Sequence, residues 1–180
     1  MSIGKEVGTV FETVDFKFER AEYFLEKIGT VPIGTQPWRA YLEAFFFELI
    51  SAKDFFLQAI NGKYGLGLER DEATKIDLLK RCLACRKYNH VLETVKSIER
   101  KLSDPNSWLW KLNNYRNSST HRELLRIGYD ADPNLNVTAH LFEDPEDSKK
   151  GNMELEVKPY CRQSLKTMRD FLEELYSKLS

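Results

Sequence analysis

The sequence of 180 residues predicts a mainly α protein: a helical bundle of about five helices with a small two-stranded β-hairpin insert at about 135–158. Over most of the chain apolar residues recur at spacings of three and four, the period of an amphipathic helix. Near the C-terminus the period changes to two, which is typical of half-buried strands. We expect residues 1–180 to form one domain, because this length suits a single core.

Five helices are predicted, each bounded by residues that favour turns. They are expected at about 4–28, 37–61, 71–102, 106–127 and 159–178. Pro37 is well placed to open the second helix, which is apolar over much of its circumference and therefore predicted to be the most buried. Five of its residues carry that prediction: Phe45, Phe46, Phe47, Phe55 and Phe56. The third helix is expected to kink near 88–90, and Gly128 to end the fourth.

The β-hairpin is predicted from two alternating segments, "LNVTAHLF" (135–142) and "MELEVKP" (153–159). The charged link between them ends in glycine and asparagine, which indicates a long exposed turn. The preceding "YDADPN" (129–134) is predicted to be loop. Because an isolated hairpin is only marginally stable, we expect it to pack against the helices.

The charge balance argues against tight non-specific binding to nucleic acid, since the net charge is −1. Basic residues concentrate in 75–101, where eight lysines and arginines stand against three acids. This strip is either a solvated helix face or a landing surface for a phosphate-bearing partner.

The N-terminus lacks the apolar core of a signal peptide, and the most apolar stretch contains four charged residues. We therefore expect a cytoplasmic protein with no membrane partner. Cys82 and Cys85 have CxxC spacing, but zinc requires two further ligands and a thioredoxin-like motif requires a βαβ setting. Buried helix cysteines are the favoured interpretation, and no metal or cofactor is predicted.

The polar stretch "RNSSTH", Arg116 to His121, admits two interpretations. In one, a helix ends near Asn114, residues 116–119 form a polar turn, and Thr120 caps a new helix with Glu123 in a capping box. In the other, the helix continues, and Asn113, Asn117 and His121 lie along one face, with Arg116 able to reach it. Residue chemistry alone favours neither interpretation over the other.

The second interpretation brings together groups suited to phosphodiester chemistry without a metal. A histidine titrates near neutrality and can take or give a proton. The forked donors of an arginine match phosphate oxygens and can stabilise the charge on a pentacoordinate phosphorus. An asparagine can orient the histidine or bind the substrate.

At these residues the sequence resembles the HEPN superfamily (higher eukaryote and prokaryote nucleotide-binding). "RNSSTH" fits its R-x4–6-H motif, including the polar residue directly after the arginine, Asn117. The arrangement of the superfamily is also similar: an all-α bundle with the motif near a late helix. The run "RNSSTHR" and the hairpin before a final "YCRQSLKTMRDFLEELY" helix resemble one bacterial branch of it.

The resemblance implies a metal-independent endoribonuclease, with a toxin, defence or RNA-processing role. It implies that Arg116 and His121 are the catalytic pair and that Asn117 supports them. Substrate contacts are predicted for the neighbouring Asn113, Tyr115, Ser118 and Thr120. Expected partners are RNA or a nucleotide, a second copy forming a homodimer with a composite cleft, and an antitoxin protein. One alternative is a non-catalytic HEPN module that binds nucleotide, RNA or a partner protein; another is a helical interaction protein with a capped turn.

Overall fold

The structure, a computed structural model, describes residues 3–120, 127–131, 137–141 and 155–179. Within these ranges it holds six helices and three short strands. In chain order they are α1 (Ile3–Ile28), α2 (Gln36–Lys63), α3 (Ile76–Cys85), α4 (Asn89–Ser103), α5 (Trp108–Thr120), β1 (Ile127–Ala131), β2 (Val137–Leu141), β3 (Leu155–Glu156) and α6 (Val157–Ser177). The predicted mainly α class with a small β insert is confirmed.

The second helix lies at the centre, as its composition predicts. It packs along α1, the pair forming a helical hairpin, and it also contacts α5 and α6. Phe45, Phe46 and Phe56 are buried, together with Leu42 and Leu49 on neighbouring turns. Burial of such side chains contributes about 2 kcal/mol each, so α2 supplies much of the core that holds α5 in place.

The predicted third helix is two helices, α3 and α4. Lys87 has a left-handed φ of 60°, which an α-helix cannot accommodate, and the chain turns there. The amide of Tyr88 donates to the carbonyl of Leu83, which closes the end of α3 before α4 begins at Asn89. The apolar period continues across the break because both helices bury one face.

The antiparallel pairing of β2 with β3 confirms the hairpin, which belongs to a three-stranded sheet of order β1-β2-β3. The prediction of a strand up to 159 is wrong from Val157 on, where α6 begins, and the predicted exposed turn lies outside the described residues. The prediction of helix up to 127 and loop over 129–134 is wrong for Ile127–Ala131, which pairs along β2 from Ile127↔Leu141 to Ala131↔Val137. Gly128 therefore lies in a strand and ends no helix. A five-residue strand without clear alternation gains its hydrogen bonds only from its neighbour, so local sequence could not specify it.

Within the described ranges, no helix combines the length and the apolar character required to cross a membrane.

Candidate functional site

The polar motif lies at the end of α5, which runs without interruption from Trp108 to Thr120. Arg116, Asn117 and Ser118 are therefore helical, and the interpretation of 116–119 as a turn is wrong. The prediction of a helix extending to 127 is also wrong at its far end, where β1 begins. His121 lies outside the described residues, as does any helix that Thr120 would cap.

Apolar contacts fix α5 against the core. Leu109 and Leu112 are buried, and Tyr115, at 2% exposure, stacks on Phe46 with 5.3 Å between ring centroids. The ring of Tyr160 on α6 meets Tyr115 edge-on at 5.6 Å. These contacts on α2 and α6 set the rotation of α5 and hence the directions in which its polar side chains leave the helix.

Tyr115 was predicted to contact substrate, and its burial assigns it to the core instead. A ring with 2% exposure, held between two other aromatic rings, presents almost no surface to a ligand. Burial also raises the pKa of the neighbouring Tyr160, an effect that the hydroxyl of Ser164 opposes in part, so that phenol stays neutral.

The guanidinium of Arg116 occupies a defined position between α5 and α2. Its Nη1 donates a hydrogen bond to Oδ1 of Asn117 at 3.0 Å. Its Cζ lies 5.9 Å from the centroid of the Phe47 ring, within the range of a cation–π contact. Both motif side chains are half-buried, so they are ordered by neighbours while part of each remains accessible. The structure therefore brings Arg116 and Asn117 together, as the sequence predicts.

The remaining predicted contacts divide into two groups. Asn113 and Ser118 are half-buried on α5, and Asn113 lies one turn before Arg116 and Asn117. Thr120 is the last residue of α5, and its side chain lies outside what the structure describes.

Phe47, the aromatic partner of Arg116, is one of the five phenylalanines that predict a buried second helix, and its own side chain is 43% exposed. Three consecutive phenylalanines span 200° around a helix, so they cannot all face one core. Phe45 and Phe46 take the buried side, which leaves Phe47 on the surface beside the motif. The helical spacing of the three phenylalanines is therefore the sequence feature from which an exposed aromatic side chain at this position could be predicted.

Directly after Phe47 on α2 lies a buried carboxylate, Glu48, held by two cations from α1. Lys17 Nζ donates to its Oε2 at 2.7 Å, and Arg20 Nη2 lies 2.9 Å from its Oε1. The neighbouring Glu43 is half-buried, and this burial raises the pKa of its carboxyl group, with Arg39 opposing the shift. The surface near Arg116 thus contains both signs of charge.

The two described histidines lie in other parts of the fold. His90 contacts Tyr64, with 3.5 Å between its Nε2 and the phenolic oxygen. His140 lies on β2, where its Nε2 is 3.2 Å from Oδ2 of Asp130 on β1. Neither joins the Arg116 cluster by any contact that the structure records.

The described residues contain no group of three or more histidine, cysteine, aspartate or glutamate side chains arranged to hold a metal ion. Cys82 and Cys85 both lie on α3, Cys82 half-buried and Cys85 exposed, so the prediction that both are buried is wrong for Cys85. Cys161 is buried, which raises the pKa of its thiol well above its usual range.

Much of the basic strip over 75–101 is committed to internal contacts. Lys80 pairs with Asp77 and Glu99, and Lys96 with Glu93. Arg86 donates to two backbone carbonyls of the loop after α2. The pairing of all three acids with lysines of the same strip leaves its excess positive charge on the remaining basic residues.

Comparison of the chain with models of protein families, with characterised proteins and with solved structures yields no match.

Proposed function

We propose that this protein is a metal-independent endoribonuclease of the HEPN type, with Arg116 and His121 as its catalytic pair. The observation that carries the proposal is the placement of Arg116 and Asn117 side by side on an anchored helix, joined by a 3.0 Å hydrogen bond. That geometry favours a prearranged polar cluster over a solvated turn. His121 follows α5 directly in the sequence.

The proposed reaction uses the ribose 2′-hydroxyl as the nucleophile. His121 accepts its proton as the 2′-oxygen forms a bond to the adjacent phosphorus, and the bond from phosphorus to the 5′-oxygen breaks. The leaving 5′-oxygen takes up a proton, which His121 of either copy can deliver, so the products are a 2′,3′-cyclic phosphate and a 5′-hydroxyl. Oxidation states do not change and no metal is required.

Arg116 stabilises the transition state in this scheme. Its guanidinium offers paired donors to the phosphate oxygens, where negative charge accumulates. Asn117 holds one of those donors through its side-chain oxygen and so limits the rotamers of the guanidinium. Asn113 and Ser118 are placed to contact the RNA from the same helix.

We further propose a homodimer in which two motifs share one cleft, in the cytoplasm, with an antitoxin protein as a partner in a toxin or defence role. The half-burial of Arg116 and Asn117 in one copy is consistent with a cleft completed by a second copy.

Cleavage of RNA in the presence of EDTA tests the proposal. The wild type is expected to cut a labelled RNA to fragments with cyclic phosphate ends, while His121→Ala and Arg116→Ala lose at least about 100-fold in rate. His90→Ala is the matched control, since the contact of the His90 ring is with Tyr64 and not with Arg116 or Asn117. If all variants bind RNA and the wild type leaves it intact, the protein is a non-catalytic binding module and the enzymatic proposal fails.

A further inference from the structure

A shallow depression lies on the surface formed by α1 and α2, next to the Arg116 cluster. Its volume is about 370 Å³, within the range of small-ligand sites. Arg20 and Phe24 of α1 line it together with one helical stripe of α2, which consists of Ala40, Glu43, Ala44, Phe47 and Glu48. Phe47 joins the two features, because it lines the depression and also carries the guanidinium of Arg116 over its ring.

The apolar part of the depression suits a flat ring. Phe24 and Phe47 line it from adjacent helices, and the small side chains of Ala40 and Ala44 leave space between them. Phe47 is 43% exposed although the two phenylalanines before it are fully buried. An exposed aromatic face beside a cation is the arrangement on which nucleobases stack in single-stranded nucleic-acid sites.

The polar part of the depression includes the carboxyl group of Glu43, and Arg39, one turn earlier on α2, favours its charged form. Both oxygens of Glu48 are held by Lys17 and Arg20, so that carboxylate is satisfied within the fold. Glu43 forms no ion pair within the part of the chain that the structure describes, and it is half-buried at the edge of the depression. A partly desolvated carboxylate binds a pair of N–H donors more strongly than an exposed one does.

We propose that this depression is a nucleobase subsite that prefers guanine, an inference that rests on the proposed ribonuclease function. The two oxygens of a carboxylate match two adjacent donors, and guanine alone among the four RNA bases presents them, N1–H beside the 2-amino group. Uracil presents a single N–H between two carbonyls, whose oxygens face a carboxylate unfavourably.

In this arrangement the base stacks on the exposed part of the Phe47 ring and Glu43 binds the edge of the base. Arg116, whose guanidinium carbon lies 5.9 Å from the centroid of the same ring, then takes the neighbouring phosphate. One aromatic side chain thus connects base recognition to the scissile bond. Cleavage is expected beside guanosine because the base that occupies the depression fixes the phosphate that reaches Arg116.

The first test compares cleavage of short RNAs that carry a single guanosine, adenosine, cytidine or uridine at one position. The wild type is expected to cut beside guanosine at least about 10-fold faster than beside uridine. Glu43→Gln is expected to reduce that ratio about 10-fold, and Phe47→Leu to raise KM more than it lowers kcat. Glu173→Gln and Tyr176→Leu, which alter an exposed acid and an exposed aromatic residue on α6, serve as matched controls.

Nucleotide binding separates failure of this inference from failure of the proposed function. Calorimetric titration of the His121→Ala protein with guanosine 5′-monophosphate, and separately with uridine 5′-monophosphate, measures binding without any cleavage. The subsite is supported if the guanosine nucleotide binds more tightly than the uridine nucleotide and Glu43→Gln abolishes this difference. That result supports the subsite even if the wild type cuts no RNA. Cleavage with no base preference, or equal binding of both nucleotides, overturns the subsite and leaves the ribonuclease proposal standing.

Light scattering measures the molecular mass of the same variants and tests whether a second copy of the chain, rather than a nucleobase, occupies this surface. If Phe47→Leu converts a wild-type dimer to a monomer, the depression is part of the contact between copies and the nucleobase inference is overturned. An unchanged mass, together with weaker binding of the guanosine nucleotide, is the result that the inference predicts.

Discussion

Tyr115→Ala provides a quantitative test of the way the motif helix is anchored. The ring is 2% exposed and makes aromatic contacts at 5.3 Å with Phe46 and at 5.6 Å with Tyr160. Removal of a buried aromatic side chain costs about 3–5 kcal/mol, through lost transfer energy and the cavity left behind. For a protein of this length that cost corresponds to a fall in Tm of roughly 6–20 °C.

Urea denaturation followed by circular dichroism at 222 nm measures the free energy of unfolding for this variant. Tyr115→Leu refines the test, because it keeps apolar volume and loses the two aromatic pairs, worth about 1–3 kcal/mol together. Tyr23→Ala is the control, since Tyr23 is 51% exposed on α1 and its loss is expected to cost less than about 1 kcal/mol. A loss below about 1 kcal/mol for Tyr115→Ala would refute the anchoring role and reopen direct contact with substrate.

Three further predictions concern the surface around the site and the loop after α1. Glu48→Ala is expected to cost about 3 kcal/mol in urea unfolding, because it leaves Lys17 without its buried partner; a neutral result would contradict this. Because burial raises the pKa of Glu43 above 4.5, its ionisation opposes folding as the pH rises past that value. Glu43→Gln should therefore unfold at a higher temperature than the wild type at pH 7, with the gap closing below pH 4.5, whereas a gap that widens at low pH would reverse the assigned sign. Gly34→Ala is expected to destabilise the protein by about 1 kcal/mol, because φ is +79° and Tyr129 lies 3.3 Å from the added Cβ, while the helical Gly62→Ala, with open space around it, should be neutral or stabilising.

The helices could be predicted from the sequence because their signals are local. Apolar residues at a period of 3.6, with glycine and proline at the ends, placed α1 and α2 within two residues of their bounds. The strand Ile127–Ala131 carries no such signal, since its backbone groups are satisfied only by β2. The break at Lys87 was recognisable as a kink, but its left-handed backbone depends on how α3 and α4 pack.

In the candidate site, too, the features set by local sequence could be predicted and those set by packing between helices could not. Arg116 and Asn117 share a helix, so their proximity follows from periodicity. Tyr115 precedes them directly in sequence, and a rotation of 100° per residue carries it into the core. Phe47 is nearly seventy residues away, and its position beside Arg116 follows from the packing of α2 on α5, which no local pattern encodes.

The central claim is a metal-free phosphodiester site built on Arg116 and His121, and RNA cleavage in EDTA tests it most directly. The account predicts that wild-type protein releases fragments with 2′,3′-cyclic phosphate ends. It also predicts that His121→Ala, folded as judged by circular dichroism, is at least about 100-fold slower. Cleavage by His121→Ala at the wild-type rate, or cleavage abolished by EDTA in the wild type, would contradict it.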